Sequence, residues 1–158
     1  MLSNQKKYAV WRPGVSPKLM DDSMVEDIKQ LFFDQTGEVY TAASIRTLPI
    51  PEWNGNLNLI DESGLLRGIF LACRFGTTRA RIVAFVIEDN YTGMGYGSQA
   101  WDIFRDLLRE EGIEEVQLEV KANNSGAIKF YQQRGLHIVE ELKGYYKSGL
   151  GYVMRGLI

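Results

Sequence analysis

The chain has 158 residues, 45% of them hydrophobic and 24% charged, with 18 Lys plus Arg against 20 Asp plus Glu for a formal net charge of -2. A chain of this size buries roughly two-thirds of its unfolded surface, so it needs no disulfide or metal to fold, and the composition excludes disordered, collagen-like and coiled-coil classes. One domain, 1–158, is expected. No block of like charge marks a nucleic-acid or membrane-surface footprint. Cys73, the only cysteine, excludes an internal disulfide and points to a reducing compartment; within the apolar run GIFLAC it reads as a buried, inert thiol. No run reaches the length of a membrane-spanning helix, and MLSNQKKYAVWRP has no apolar signal-peptide core. A soluble, cytoplasmic protein is expected.

Tyr8 to Trp11 reads as a first strand, ended by Arg12-Pro13-Gly14. From Asp22 to Gln35, Met24, Val25, Ile28, Leu31 and Phe32 recur at helical spacing, and Gly37 follows as a stop. Pro49 and Pro51 divide the next segment into a short helix and a loop. Asn56 to Ile60 and Leu65 to Arg74 predict strands joined by the turn Asp61-Glu62-Ser63-Gly64. Ala80 to Ile87 is the near-continuous apolar run of a central strand. Ser98 to Glu111 predicts an amphipathic helix with Trp101, Phe104, Leu107 and Leu108 on one side, closed by Gly112. Val116, Leu118 and Val120 alternate with Gln117, Glu119 and Lys121 as in a strand. Asn123-Asn124-Ser125 caps a helix running to Arg134, and strands near His137 to Leu142 and Gly151 to Leu157 complete an α+β layer fold with a mixed, mostly antiparallel sheet and helices on its faces.

The segment Tyr91-Thr92-Gly93-Met94-Gly95-Tyr96-Gly97-Ser98 sets three glycines at alternate positions between a buried strand and a helix. Such a loop brings backbone N–H groups to the positive end of the helix dipole, an arrangement suited to phosphate. It also suits a glycine-rich turn with no ligand. Gly95, Gly97 and Ala100 fit the dinucleotide pattern G-x-G-x-x-A, but the loop follows several hairpin-linked strands and too little chain remains for a doubly wound sheet. No Gly-Lys-Ser/Thr follows, so a Walker loop is excluded.

Asn124-Ser125-Gly126-Ala127-Ile128-Lys129-Phe130-Tyr131, ending at Gly135-Leu136, resembles the N-x-x-A-x-x-x-Y…G-F segment of the GNAT acyl-CoA N-acetyltransferases. The upstream loop is similar to their R/Q-x-x-G-x-G/A pyrophosphate loop, with Thr92 at the usual Arg or Gln and Met94 at a usually basic position. The resemblance covers the chain from about Leu65 to its end. It implies the GNAT fold and acetyl-CoA as cofactor, with the pyrophosphate on Gly93, Met94, Gly95, Tyr96, Gly97 and Ser98. The pantetheine arm would pair with the backbone of Val86, Ile87 and Glu88, and Asn124, Ala127 and Tyr131 complete the expected cofactor site.

Acetyl transfer to an amine needs a base for the ammonium proton, a donor for the oxyanion, and a proton for the departing thiolate. The resemblance gives Tyr131 the last role; otherwise it is an ordinary core tyrosine. Glu119, twelve residues before it, matches the base of the ribosomal-protein and N-terminal acetyltransferase branch, and reads equally as a solvated strand carboxylate. Arg81 stands where histone-type relatives place a glutamate, so that mechanism is not supported; Glu88 and Asp89 are alternative bases acting through water. Lys143-Gly144-Tyr145-Tyr146-Lys147-Ser148-Gly149 with Tyr152-Val153-Met154 resembles the tyrosine hairpin by which N-terminal acetyltransferases hold the substrate backbone, with Leu150 and Gly151 in place of the Glu-Asp often found there. The expected acceptor is a protein or peptide α-amine, with a small-molecule amine, or acyl-CoA binding without turnover, as alternatives. His137 reads as a surface or structural residue, no cluster has metal-ligand spacing, and a monomer or homodimer is expected.

Overall fold

A computed structural model describes residues 7–50, 55–146 and 149–158. The beginning of the N-terminal stretch, the loop break at Pro51, and Lys147 and Ser148 of the terminal hairpin lie outside the described residues. The strands are β1 (Ala9–Pro13), β2 (Leu57–Asp61), β3 (Leu66–Arg74), β4 (Arg79–Ile87), β5 (Glu115–Lys121), β6 (His137–Tyr146) and β7 (Gly149–Leu157). The helices are α1 (Asp22–Thr36), α2 (Ala42–Arg46), α3 (Tyr96–Glu110) and α4 (Ser125–Gln132), with 3₁₀ turns at Pro17–Leu19 and Asp89–Tyr91. Hydrogen bonding gives the strand order β1-β2-β3-β4-β5-β7-β6. Only β4 and β5 run parallel; the other registered neighbours are antiparallel. This is the α+β fold with a mixed, mostly antiparallel sheet that the sequence predicts.

The chain divides into two compact units, one holding the described residues up to Ala72 with Ala84–Phe104, the other Cys73–Val83 with Arg105–Ile158. In the first, the β2–β3 turn closes on Asp61, whose Oδ1 accepts the Ser63 and Leu65 N–H groups at 2.8 and 3.0 Å, with Gly64 in the left-handed region at φ 82°. Asp21 caps α1 by accepting the Met24 N–H, and Gly37 ends it in the left-handed conformation. The helix buries Val25, Ile28, Leu31 and Phe32. Phe70 is the aromatic centre of this unit, with Phe85 and Phe104 each 4.8 Å away, ring centre to ring centre.

In the second unit β5 buries Val116, Leu118 and Val120 and turns Glu115, Gln117 and Glu119 to its other face. There Arg79 pairs with Glu115, Arg81 with Glu119, and Arg155 donates to Gln117. Helix α4 ends at Gln132, two residues short of expectation, because the Leu136 N–H turns back to the Tyr131 carbonyl at 3.1 Å. Strands β6 and β7 extend to a Tyr146–Gly149 pair, beyond the predicted ends. The register shifts between Leu142 and Tyr146, and Gly144 adopts φ 76°. A bulge of this kind breaks the alternation by which a strand is recognised.

Candidate active site

Within the first unit, α3 begins at Tyr96, two residues before the sequence estimate. Gly97 and Ser98 therefore belong to the first helical turn, and the Gln99 N–H already donates to the Gly95 carbonyl at 3.0 Å. The remaining loop is Thr92 to Gly95. Gly93 and Gly95 take φ values of 72° and 88°, and nothing lies within 4 Å of where a Cβ would stand on either. The backbone at both glycines thus faces open space, beside a helix start whose first N–H groups have no partner within the helix. This geometry fits a bound phosphate. Thr92 turns its hydroxyl back to the Asp89 carbonyl at 2.7 Å. Tyr96 is buried and serves as an anchor: its hydroxyl donates to the Lys7 carbonyl at 2.7 Å and accepts the Ala9 N–H at 2.9 Å, while Trp11 Nε1 donates to its carbonyl at 2.8 Å. Nothing in the sequence pattern points to this tie between β1 and the helix start.

At the end of β4, the Glu88 N–H donates to the Arg67 carbonyl at 2.8 Å. Backbone groups alternate along a strand, so Val86 faces β3 as well. Ile87 is the one of the three expected pantetheine partners whose N–H and C=O face the other edge. The Glu88 side chain is also engaged. One oxygen accepts from Arg67 at 2.6 Å and the other from Asn90 at 3.3 Å. Arg67 further donates to Asp61 at 2.8 Å and lies over the Tyr91 ring, 5.5 Å from its centre. Glu88 thus braces the turn that leads into the glycine loop, which leaves it poorly suited to the role of alternative base.

Within the second unit, Tyr131 is buried on α4. Burial pushes its hydroxyl well above the ordinary tyrosine range, Arg134 opposes the shift and Tyr146 adds to it. The phenol therefore stays protonated across the physiological range, as an ordinary tyrosine also does. Asn124 caps α4, accepting the Ala127 N–H at 3.2 Å, so both residues fix the start of the helix that carries Tyr131. Glu119 is mostly buried and Arg81 holds it: the guanidinium Nε donates to Oε1 at 2.7 Å and Nη2 reaches the same oxygen. The second oxygen, Oε2, is buried with no hydrogen-bond partner among the described residues. Burial acts against the Arg81 cation, but the Glu119 carboxylate outweighs it and keeps the guanidinium above its ordinary value. Glu119 is therefore not the free solvated carboxylate that was one reading of the sequence. Cys73 is free and buried as expected, and burial raises its thiol pKa against the opposing pull of Arg81.

The hairpin tyrosines differ. Tyr145 is exposed, whereas the Tyr146 ring folds back over Gly151, with Tyr145 edge-on at 4.8 Å. His137 lies exposed at the start of β6, opposite Arg155. Among the described residues no group of His, Cys, Asp and Glu could hold a metal ion, and no helix is long and apolar enough to cross a membrane.

These features match known proteins in sequence and in shape. N-alpha-acetyltransferase 30 of Schizosaccharomyces pombe is 31% identical over 75 residues, 47% of this chain and 50% of the relative. The [ribosomal protein bS18]-alanine N-acetyltransferase of Haemophilus influenzae is 28% identical over 96 residues, 61% of this chain and 64% of the relative. The chain spans about half the length of the curated relatives it matches. The crystal structure of Ard1 from Thermoplasma volcanium superposes with a TM-score of 0.79 at 28% identity, covering 95% of this chain and 97% of that one. The model of the acetyltransferase (GNAT) family matches residues 25–136, a span that includes the glycine loop, Glu119 and the capped helix of Tyr131, and the chain belongs to that family.

Proposed function

We propose that the protein is an N-acetyltransferase that uses acetyl-CoA, acts as one domain over 1–158, and takes the α-amine of a protein or peptide as its preferred acceptor. Family membership supports the reaction class. The names of the two sequence relatives, an N-alpha-acetyltransferase and a ribosomal-protein alanine N-acetyltransferase, support the acceptor. The observation that carries the reading is Tyr131, buried on a helix whose Asn124 cap carries the family pattern.

In this reading the backbone from Gly93 to Ser98 holds the pyrophosphate and Ile87 pairs with the pantetheine arm. Acetyl-CoA supplies the activated acetyl group. The chain's own residues handle the protons. Glu119 is the carboxylate that takes up the proton of the acceptor ammonium, and Arg81 fixes it through Oε1. Tyr131 gives its proton to the departing sulfur. Tyr145 and Tyr146 hold the acceptor beside its amine.

Calorimetric titration with acetyl-CoA, with NADH as control, tests the cofactor; binding of NADH instead would overturn it. Tyr131→Phe should lower kcat by ~10²-fold or more with little change in acetyl-CoA affinity, and an unchanged kcat removes Tyr131 from the mechanism. A panel of peptides and small amines tests the acceptor: transfer to polyamines or free amino acids but to no peptide overturns the α-amine assignment.

A further inference from the structure

We propose that Gly151 is a specificity-determining residue of the acceptor site, because its missing side chain is what lets the Tyr146 ring pack against β7 on the sheet face that carries Glu119. The inference rests on the reading of Tyr131 and Glu119 as the catalytic pair. The register pairs Lys121 of β5 with Gly151 of β7, and Gly151 with Leu142 of β6. The neighbouring pair, Glu119 with Val153, is two residues along both strands and so faces the same way. Tyr146 belongs further along β6, opposite Gly149, yet its ring returns to cover Gly151. A Cβ on Gly151 would stand 2.5 Å from Cε2 and 2.7 Å from Cδ2 of that ring, so the ring fills the space that a side chain of any other residue would take.

Two neighbours hold the ring there. Lys121 Nζ lies 5.7 Å from its centre, and the Tyr145 ring meets it at 83°. The result places an aromatic ring one residue pair from Glu119, and the influence of Tyr146 on the Tyr131 hydroxyl agrees with that placement. The backbone at Gly151 lies outside the left-handed region, so an alanine is compatible with the strand. The closest obstacle is a ring at the end of a side chain, with the Val120 carbonyl at 3.2 Å. Substitution therefore displaces Tyr146 rather than β7 and reshapes the acceptor site.

The test compares Gly151→Ala, Tyr146→Ala and the double variant for acetyl transfer to a panel of peptides that differ in the first residue. Gly151→Ala should lower kcat/KM for the best peptide about tenfold and leave the KM for acetyl-CoA unchanged, and the double variant should be no worse than Tyr146→Ala alone. Wild-type acceptor kinetics in Gly151→Ala, or losses that multiply in the double variant, would overturn the proposal. A second readout needs no activity: in the NMR spectrum the ring shifts the Gly151 Hα resonances upfield, and Tyr146→Leu removes the shift. Absence of that shift in the wild type overturns the seating of Tyr146 whatever the kinetics. Full activity of both Tyr131→Phe and Glu119→Gln overturns the underlying reading instead, with the Gly151 resonances unaffected.

Discussion

Arg81 grips the residue proposed as base. Glu119 has one oxygen occupied by two guanidinium N–H groups and the other buried with no hydrogen-bond partner among the described residues. Arg81→Gln removes the compensating charge from a mostly buried carboxylate. It should cost about 1–3 kcal/mol of stability in urea denaturation and lower kcat, since the carboxylate is no longer fixed. Arg81→Lys keeps the charge but loses the planar fork, so it should fall between the two. Equal stability of Arg81→Gln and the wild type would show that the pair is solvated. Glu119 could be found by its spacing from Tyr131; Arg81 could not be named as its partner. The pair joins positions 38 apart across the parallel β4–β5 ladder, and sequence periodicity carries no register between strands that a hairpin does not link.

At the level of elements, the junction of β4 and α3 is where local sequence and local structure agree best. Glycines 93 and 95 occupy conformations that other L-residues rarely adopt, with open space on the side where a Cβ would stand. Gly95→Val therefore meets no steric clash in the fold, but it sets a β-branched residue at φ 88°, which costs roughly 1–2 kcal/mol, and covers the backbone proposed to face phosphate. The variant should melt as a folded protein and show no calorimetric binding of acetyl-CoA; normal binding would remove the loop from the cofactor site. The start of α3 at Tyr96 depends on contacts from β1, through Trp11 and Ala9, so glycine spacing alone misplaced it by two residues. Gly156 shows the same limit: a Cβ there would stand 2.3 Å from the Gly135 carbonyl oxygen, a constraint visible only once β7 is set against the turn after α4.

For the whole molecule, a net charge of -2 conceals ion pairs that join elements distant in the chain. Asp61 accepts the Leu65 and Ser63 N–H groups and the Arg67 guanidinium, which together hold its carboxyl below the usual value of 3.8 against the cost of burial. A depressed folded-state pKa contributes stability that is present above the unfolded value and lost as pH falls through the folded one. Wild type should therefore exceed Asp61→Asn in thermal stability at neutral pH, and the gap should close below pH 3.8; a gap independent of pH would show that the carboxylate charge contributes nothing. The order and type of the elements are legible in the sequence, because hydrophobic period, glycine stops and capping residues act within a few residues of one another. The glycine loop and the capped helix of Tyr131 are legible too, since their patterns are equally local. Which polar groups are already engaged emerges from the fold alone: Glu119 by Arg81, Glu88 by Arg67 and Asn90, and the Tyr96 hydroxyl by β1. So does the seating of the Tyr146 ring against Gly151. These outcomes depend on strand register and on side chains that meet from distant parts of the chain, and burial makes each such meeting strong enough to fix what the group can do.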